Sequence, residues 1–465
     1  MGTGENLSRE RVSLSLRHPA RRPCEGPDPT PSSGTPPQSR STSVRLTVPL
    51  SVTLIISLLF PGCGDSPPQG DSPRDPTRLR LGDTVLVKNE FPSRVDTAEM
   101  VELTQITRRD GPEEFLLWGS SEMTVGWRGE LYLADDSGIR VFSADGSRVR
   151  YIAGHGQGPG EMRFVTGMAV DSLGRLLAVD ETNRRVAIQD TSGTVLDHWR
   201  LPDGRPDGGL RAITPIPGGQ SLLAFFPLVE PPDWRQTFPR PVFLRLDRNG
   251  EILDTVFVPL RLHEDCPFEE DGRYNRGPLG DGRIRYVPKV TWTASRQGSV
   301  IFGCPTKYEF ESIDPSGGVP RASLDKPAVK SNPEEIDWIM ESMEKVAESV
   351  GRSWKWSGPL PPENLPYFSR ILIGRYGRIW VWPEHPGTKQ VVQGQEVWRP
   401  TWTGAFDVFE ADGTYRGSVA LPEGARFRSH PAVLDPFIAG DTVWLLRFDS
   451  LDVPAVSKML VEWVK

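Results

Sequence analysis

Cysteine is scarce in this chain, long apolar runs are missing, and local signatures of catalysis are absent. Only four cysteines occur in 465 residues, at positions 24, 63, 266 and 304. With no C-x-x-C pair and no H-E-x-x-H, no zinc site can be read from spacing. There is no G-x-S-x-G, no P-loop and no EF-hand pattern, so three common routes to hydrolysis, phosphate binding and calcium binding lack their motifs. The six histidines, at 18, 155, 198, 263, 385 and 430, stand alone in the sequence. A spanning helix needs about 20 apolar residues, and the run Leu46 to Phe60 has only fifteen. Positive charge is also in deficit: the formal net charge is −7 and no Lys/Arg stripe is present. That argues against nucleic acid as the main partner.

What the chain has in quantity is turns. Forty-six glycines and 45 prolines are spread along it without a collagen-like period. Val, Ile, Leu, Trp and Phe recur in runs of four to seven residues bounded by Gly, Asp, Asn and Ser, the pattern of short strands. The fold class read from this is all-β.

The first 62 residues carry seven arginines against four acids. Leu46–Phe60, preceded by Arg40 and Arg45, reads as the apolar core of an export signal behind a disordered leader. The following Phe60-Pro61-Gly62-Cys63 resembles a bacterial lipobox, with Gly62 just before the cysteine. The resemblance implies cleavage after residue 62 and lipid attachment at Cys63, where two or more acyl chains give a stable anchor. Residues 63–80, rich in Pro, Asp, Gly and Ser, then suit a solvated tether. The body, 81–465, is expected in the bacterial cell envelope, periplasm-facing or at the surface. In that oxidising compartment Cys266 and Cys304 can form a disulfide or remain two thiols, and two cysteines offer too little spacing information to decide.

Six stretches align as a Gly-bearing turn followed by an apolar strand: "VGWRGELYLA", "VDSLGRLLAV", "PIPGGQSLLAF", "TASRQGSVIF", "IGRYGRIWVW" and "FIAGDTVWLL", with glycines at 129, 174, 219, 298, 377 and 440. A second series of hairpin turns has glycines at 146, 193, 250, 317 and 413, each preceded by Asp, Asn or Ser. The shortest spacing suits four short strands, as in a propeller blade. Residues 122–201, and above all "GQGPGEMRFVTGMAVDSLGRLLAVDETNRRVAIQDTSGTVL", resemble NHL-type six-bladed β-propellers. The resemblance implies a six-bladed propeller with His155–Gly160 as the link between two blades. A phosphate loop would follow a strand and open a helix, whereas this glycine string precedes "MRFVTGMAV" and another turn. The last copy supplies only three strands, so an N-terminal strand, "DTVLVKN" (83–89) or "EMVELTQIT" (99–107), is expected to close the ring.

Two spacings are longer than the rest. One holds "SNPEEIDWIMESMEKVAESVG" (331–351), a helix with Asn332 as cap, Pro333 in the first turn and Gly351 as stop. Its apolar face, Ile336, Ile339, Met340, Met343, Ala347 and Val350, is expected to dock on one rim. Trp380 and Trp382, two apart in a strand, read as inter-blade core. Trp354, Trp356, Trp398 and Trp402 sit in loop-like sequence, where rings either pack or stack on a flat ligand or sugar.

A propeller can gather isolated residues at its axis. The candidates for an axial or ligand site are His155, Asp180, Asn183, Arg185 and His430, although Asp180, Asn183 and Arg185 are more simply explained as a turn held by side-chain hydrogen bonds. The expected function is a lipid-anchored binding or scaffolding module for a protein, a small molecule or a carbohydrate, with no cofactor. The alternative, implied by related six-bladed lyases and lactonases, is an enzyme with a divalent metal at the axis.

Overall fold

The computed structural model describes residues 75–81, 84–107, 112, 116–117, 122–201, 212–225, 242–257, 266, 286, 288, 290–314, 319–351, 353, 362–392, 394–399, 404–426 and 434–464. Residues 1–62, where the export signal was expected, Cys63, Trp354, Trp356, Trp402 and His430 lie outside the described residues.

Twenty-four of the 29 described strands form six antiparallel four-stranded sets. The first is Glu122–Val125, Leu131–Asp135, Gly138–Phe142 and Val149–His155, and the second Val165–Val170, Leu176–Asp180, Arg185–Gln189 and Val195–Arg200. The third is Ala212–Ile216, Gln220–Phe225, Val242–Leu246 and Ile252–Phe257. The fourth is Thr291–Ala294, Val300–Gly303, Glu309–Ile313 and Val319–Asp325. The fifth is Phe368–Ile373, Ile379–Pro383, Ala405–Phe409 and Tyr415–Ala420. The sixth takes Phe437–Ala439, Thr442–Phe448 and Pro454–Trp463 from the end of the chain and its fourth strand, Thr97–Gln105, from near the start. The turn glycines make these reversals possible. Gly129, Gly174, Gly298, Gly377 and Gly440 have φ from +65° to +95°, a region costly for any residue with a Cβ.

No single blade can bury both faces of its sheet, and six of the apolar clusters among the described residues show how the blades solve this together. Leu177, Val186 and Trp199 of the second blade pack with Ile213, Leu223 and Leu244 of the third. Phe243 of the third meets Phe302 of the fourth, and Phe310 of the fourth meets Phe368 and Phe409 of the fifth. Trp380 and Trp382 of the fifth blade pack with Val443, Leu445 and Ala98 of the sixth, confirming both tryptophans as inter-blade core. Trp444 and Ile106 of the sixth share a cluster with Leu131 and Phe142 of the first, and Val141 of the first packs with Met168 of the second. The last sheet therefore packs on the first, and the architecture is a β-propeller.

The N-terminal arm serves two blades. Thr97–Gln105 pairs antiparallel with Pro454–Trp463, and its first residues also run parallel to Ser418 and Val419 of the fifth blade. It is the ring-closing strand. The other candidate, Thr84–Glu90, adds instead to the outside of the fourth blade, parallel to Val319–Asp325, and Thr77–Leu81 continues that sheet outward.

Because the strands of a blade alternate in direction, its first and third turns emerge at one end of the ring. Its second turn and the link to the next blade emerge at the other. The second end is the elaborated one. It carries the helix Pro333–Ser349, whose cap Asn332 accepts from the Glu334 amide at 3.0 Å. Ile339 and Ala347 are buried, Ile336, Met340 and Met343 partly so, and Val350 is exposed. The helix docks on the rim: buried Glu335 accepts from the Tyr286 hydroxyl at 2.6 Å and the Gly387 amide at 2.8 Å. Cys266 and Cys304 are joined at this end by a disulfide, with Cα atoms 5.8 Å apart.

Candidate functional site

The elaborated end also holds the residues singled out by sequence. Asp180, at the end of the second strand of its blade, is fully buried. Its Oδ1 faces the amides of Arg163 and Phe164 at 3.3 Å, and its Oδ2 accepts from Asn183 Nδ2 at 2.6 Å. Asn183 Nδ2 also donates to the Gly156 carbonyl at 2.9 Å, and Arg185 donates to the carbonyls of Gly158 (2.9 Å) and Glu161. The three side chains thus converge on the Gly156–Glu161 link and fasten it to the blade. They bond to that backbone and to one another, with Arg185 Nε also 3.4 Å from Asp180 Oδ2. His155 stands apart and exposed, at the end of the outermost strand of the first blade, three strands away from the innermost one. The string His155–Gly160 is an inter-blade link, ending in the short pairing of Gly154 and His155 with Glu161 and Met162. Trp398 is partly buried on the hairpin Thr388–Val392 and Gln395–Arg399. Among the described residues, no three His, Cys, Asp or Glu side chains gather around a point that would hold a metal ion.

The plain end brings different residues to the axis. The turns between the first and second strands lie at this end, and the position two before their glycines aligns from blade to blade; three of its six occupants, Trp127, Arg296 and Arg375, bond through their side chains to other blades. The six are Trp127, Ser172, Pro217, Arg296, Arg375 and Ile438. Arg375 of the fifth blade reaches past the sixth to donate to the carbonyls of Val125 and Gly126 on the first, the latter at 3.2 Å. Its backbone amide holds Ile438 of the sixth at 2.8 Å. Arg296 of the fourth blade reaches past the third to donate to Val170 of the second at 2.8 Å. The Trp127 indole donates to the Asp171 carbonyl. Bonds between blades that are not neighbours can be made only across the axis, so these side chains close its mouth.

The mouth is cationic and aromatic. The Arg375 guanidinium lies 4.5 Å from the centre of the Trp127 ring and 4.8 Å from that of Phe437, and Arg296 lies 5.4 Å from Trp127. Such stacking offsets part of the cost of desolvating a cation. Arg375 is 7% exposed, whereas Trp127 is 46% and Tyr376 63% exposed. Burial, and then the Arg375 charge, push Arg296 down to about 10, with Asp171 opposing. Burial likewise lowers Arg375, opposed by the Tyr376 phenol. Both remain cations at neutral pH. The two arginines and the exposed Trp127 and Tyr376 rings thus share one end of the ring. Sequence reasoning did not single these residues out. The available signal was their shared place in the aligned turns, two before the glycine.

No family model and no curated protein matches this sequence. Among solved structures, the chain is similar to a member of the DUF4221 family from Bacteroides vulgatus, at 12% identity over 80% of this chain and 100% of that one, with a TM-score of 0.47. It is also similar to virginiamycin B lyase from Staphylococcus aureus (11% identity, 78% of this chain, 99% of that one, TM-score 0.37). A third is regucalcin, a calcium-binding protein from Agrobacterium tumefaciens (12% identity, 80% of this chain, 97% of that one, TM-score 0.39). At such identities, and with TM-scores under 0.5, nothing those proteins bind or catalyse transfers to this chain.

Proposed function

We propose that the protein is a binding module: a β-propeller of the NHL type, held at an extracytoplasmic membrane surface by a lipid on Cys63, that engages its ligand at the axial mouth of the plain end. The convergence of Arg296, Arg375 and Trp127 from three blades is the observation that carries this reading. The likeness of residues 122–201 to NHL blades supports the propeller subtype, and the lipobox-like Phe60–Cys63 supports the anchor. The Cys266–Cys304 disulfide fits an oxidising compartment. Trp, Tyr and Arg are the residues that dominate binding surfaces energetically, and Trp127, Tyr376, Arg296 and Arg375 bring all three to one place.

The test places a photoreactive phenylalanine at Tyr376, or at Leu451, which is 82% exposed on the elaborated end, in cells of the native host. Light-dependent adducts read by intact mass are expected from position 376 and not from 451. Adducts at neither position, or equally at both, would reject the mouth as the binding surface.

A further inference from the structure

We propose that the axial mouth is an oxyanion site, in which Arg296 donates to a carboxylate or phosphate group while the Trp127 ring covers the adjoining part of the ligand. This rests on the reading of the mouth as a binding surface and adds the chemistry of what it binds.

The first observation is the treatment of the other arginines. Wherever a guanidinium is substantially covered elsewhere in the described residues, a carboxylate accompanies it: Arg140 with Asp135 at 2.5 Å, Arg370 with Asp435 at 2.6 Å, Arg378 with Asp441 at 2.6 Å and Arg321 with Glu309 at 2.8 Å. Arg296 and Arg375 have no carboxylate partner among the described residues. Asp171, the acid whose charge is felt at Arg296, is already committed: its Oδ2 takes Arg175 Nε at 2.8 Å, and its Oδ1 takes the amides of Leu173 and Arg175 at 2.9 Å. Burying a charge without a counter-charge is costly, so the site is electrostatically incomplete as it stands.

The second observation is donor capacity. A guanidinium has five N–H groups in a planar fork matched to the two oxygens of a carboxylate or phosphate. Arg375 spends two nitrogens on the Val125 and Gly126 carbonyls, and its Nε is buried without a partner among the described residues. Arg296 spends one nitrogen, on Val170. The rest of the Arg296 guanidinium has no hydrogen-bond partner among the described residues and lies 5.4 Å from the centre of the half-exposed Trp127 ring. Arg375 is therefore the brace whose charge sets the local field, and Arg296 is the hand that contacts the anion. Carboxylate and phosphate share this chemistry, and the binding experiment separates them.

The experiment is isothermal titration of the full-length protein, in detergent, with sodium phosphate in one arm and sodium acetate in the other, each against sodium chloride at equal ionic strength. Saturable binding beyond the chloride control is expected in at least one arm, and the arm that saturates names the ligand class. Arg296→Gln is expected to weaken that binding about tenfold, the loss of roughly one charge-assisted hydrogen bond. Arg296→Lys, which keeps the charge and the fold, is expected to recover part of it. Arg399→Gln, exposed on the hairpin at the elaborated end, is expected to change nothing. Binding in neither arm, or binding indifferent to Arg296→Gln while Arg296→Lys shows the fold intact, would overturn the proposal. If adducts still form at position 376 when neither anion binds, the mouth binds something other than an oxyanion and only this proposal fails. If adducts are absent too, both readings fail.

Discussion

Severing the disulfide between Cys266 and Cys304 should lower stability by an amount that follows from its place in the chain. The bridge spans a sequence separation of 38 residues. Closing a loop of that length removes about 13 cal/mol/K of entropy from the unfolded chain, or about 4 kcal/mol at 25 °C. Both sulfurs are buried, at 0% and 5% residue exposure, so Cys266→Ala with Cys304→Ala removes the tie while keeping the site apolar. For roughly 390 residues from 75 to 464, unfolding entropy of about 2.1 cal/mol/K per residue converts this into a fall in Tm of about 5 °C. Scanning calorimetry of the wild type, the double variant and the wild type under reductant should place the last two together, below the first. A double variant melting within 1 °C of the oxidised wild type would refute the reasoning, as would two free thiols in the non-reduced protein.

Two further outcomes follow from buried polar groups. Asp407, 1% exposed between the fourth and fifth blades, accepts from Lys326 Nζ at 2.5 Å, from the Tyr308 hydroxyl at 2.6 Å and from Ser418 Oγ at 3.0 Å. Asp407→Ala leaves that cation and those hydroxyls without their acceptor and should cost about 3–5 kcal/mol in chemical denaturation; a loss under about 1 kcal/mol would show that the cluster is not a lock between the blades. His198 and His385 are held below their ordinary value by burial first, then by the charges of Arg185 and Lys326 respectively. Below a pH of about 6.5 the unfolded chain takes up protons that the folded one refuses, so stability should be level above that pH and fall beneath it. His385→Gln should flatten part of the decline in Tm between pH 7 and pH 5, and an unchanged slope would count against its burial as a neutral ring.

Much of the fold was legible because it rests on local rules. The turn glycines had to adopt positive φ, and Asn332, Pro333 and Gly351 bounded the helix within two residues of where it forms. The missing fourth strand of the last blade announced its own replacement, although only the structure could choose Thr97–Gln105 over Thr84–Glu90. Both segments carry several strand-favouring apolar residues, and sequence does not say which sheet edge each one meets. The disulfide was undecided for the same reason, since pairing depends on a Cα separation that 37 intervening residues do not fix. The candidate site was the least visible. Asp180, Asn183 and Arg185 attracted notice because they are close in sequence, and closeness in sequence made them a turn brace. Arg296, Arg375 and Trp127 are far apart in the chain and meet only because ring closure turns one repeat position toward a common axis.

That ring closure is also what the functional reading depends on, since without it the first and sixth blades part and Arg375 loses its reach to Val125 and Gly126. Hydrogen–deuterium exchange of the backbone amides in Thr97–Gln105 measures it most directly. The account predicts that the amides of Thr97–Gln105 that face Pro454–Trp463 are as protected as their partners in that strand, and are released only on global unfolding. Exchange at the rate of a free N-terminal arm, with Pro454–Trp463 still protected, would contradict it.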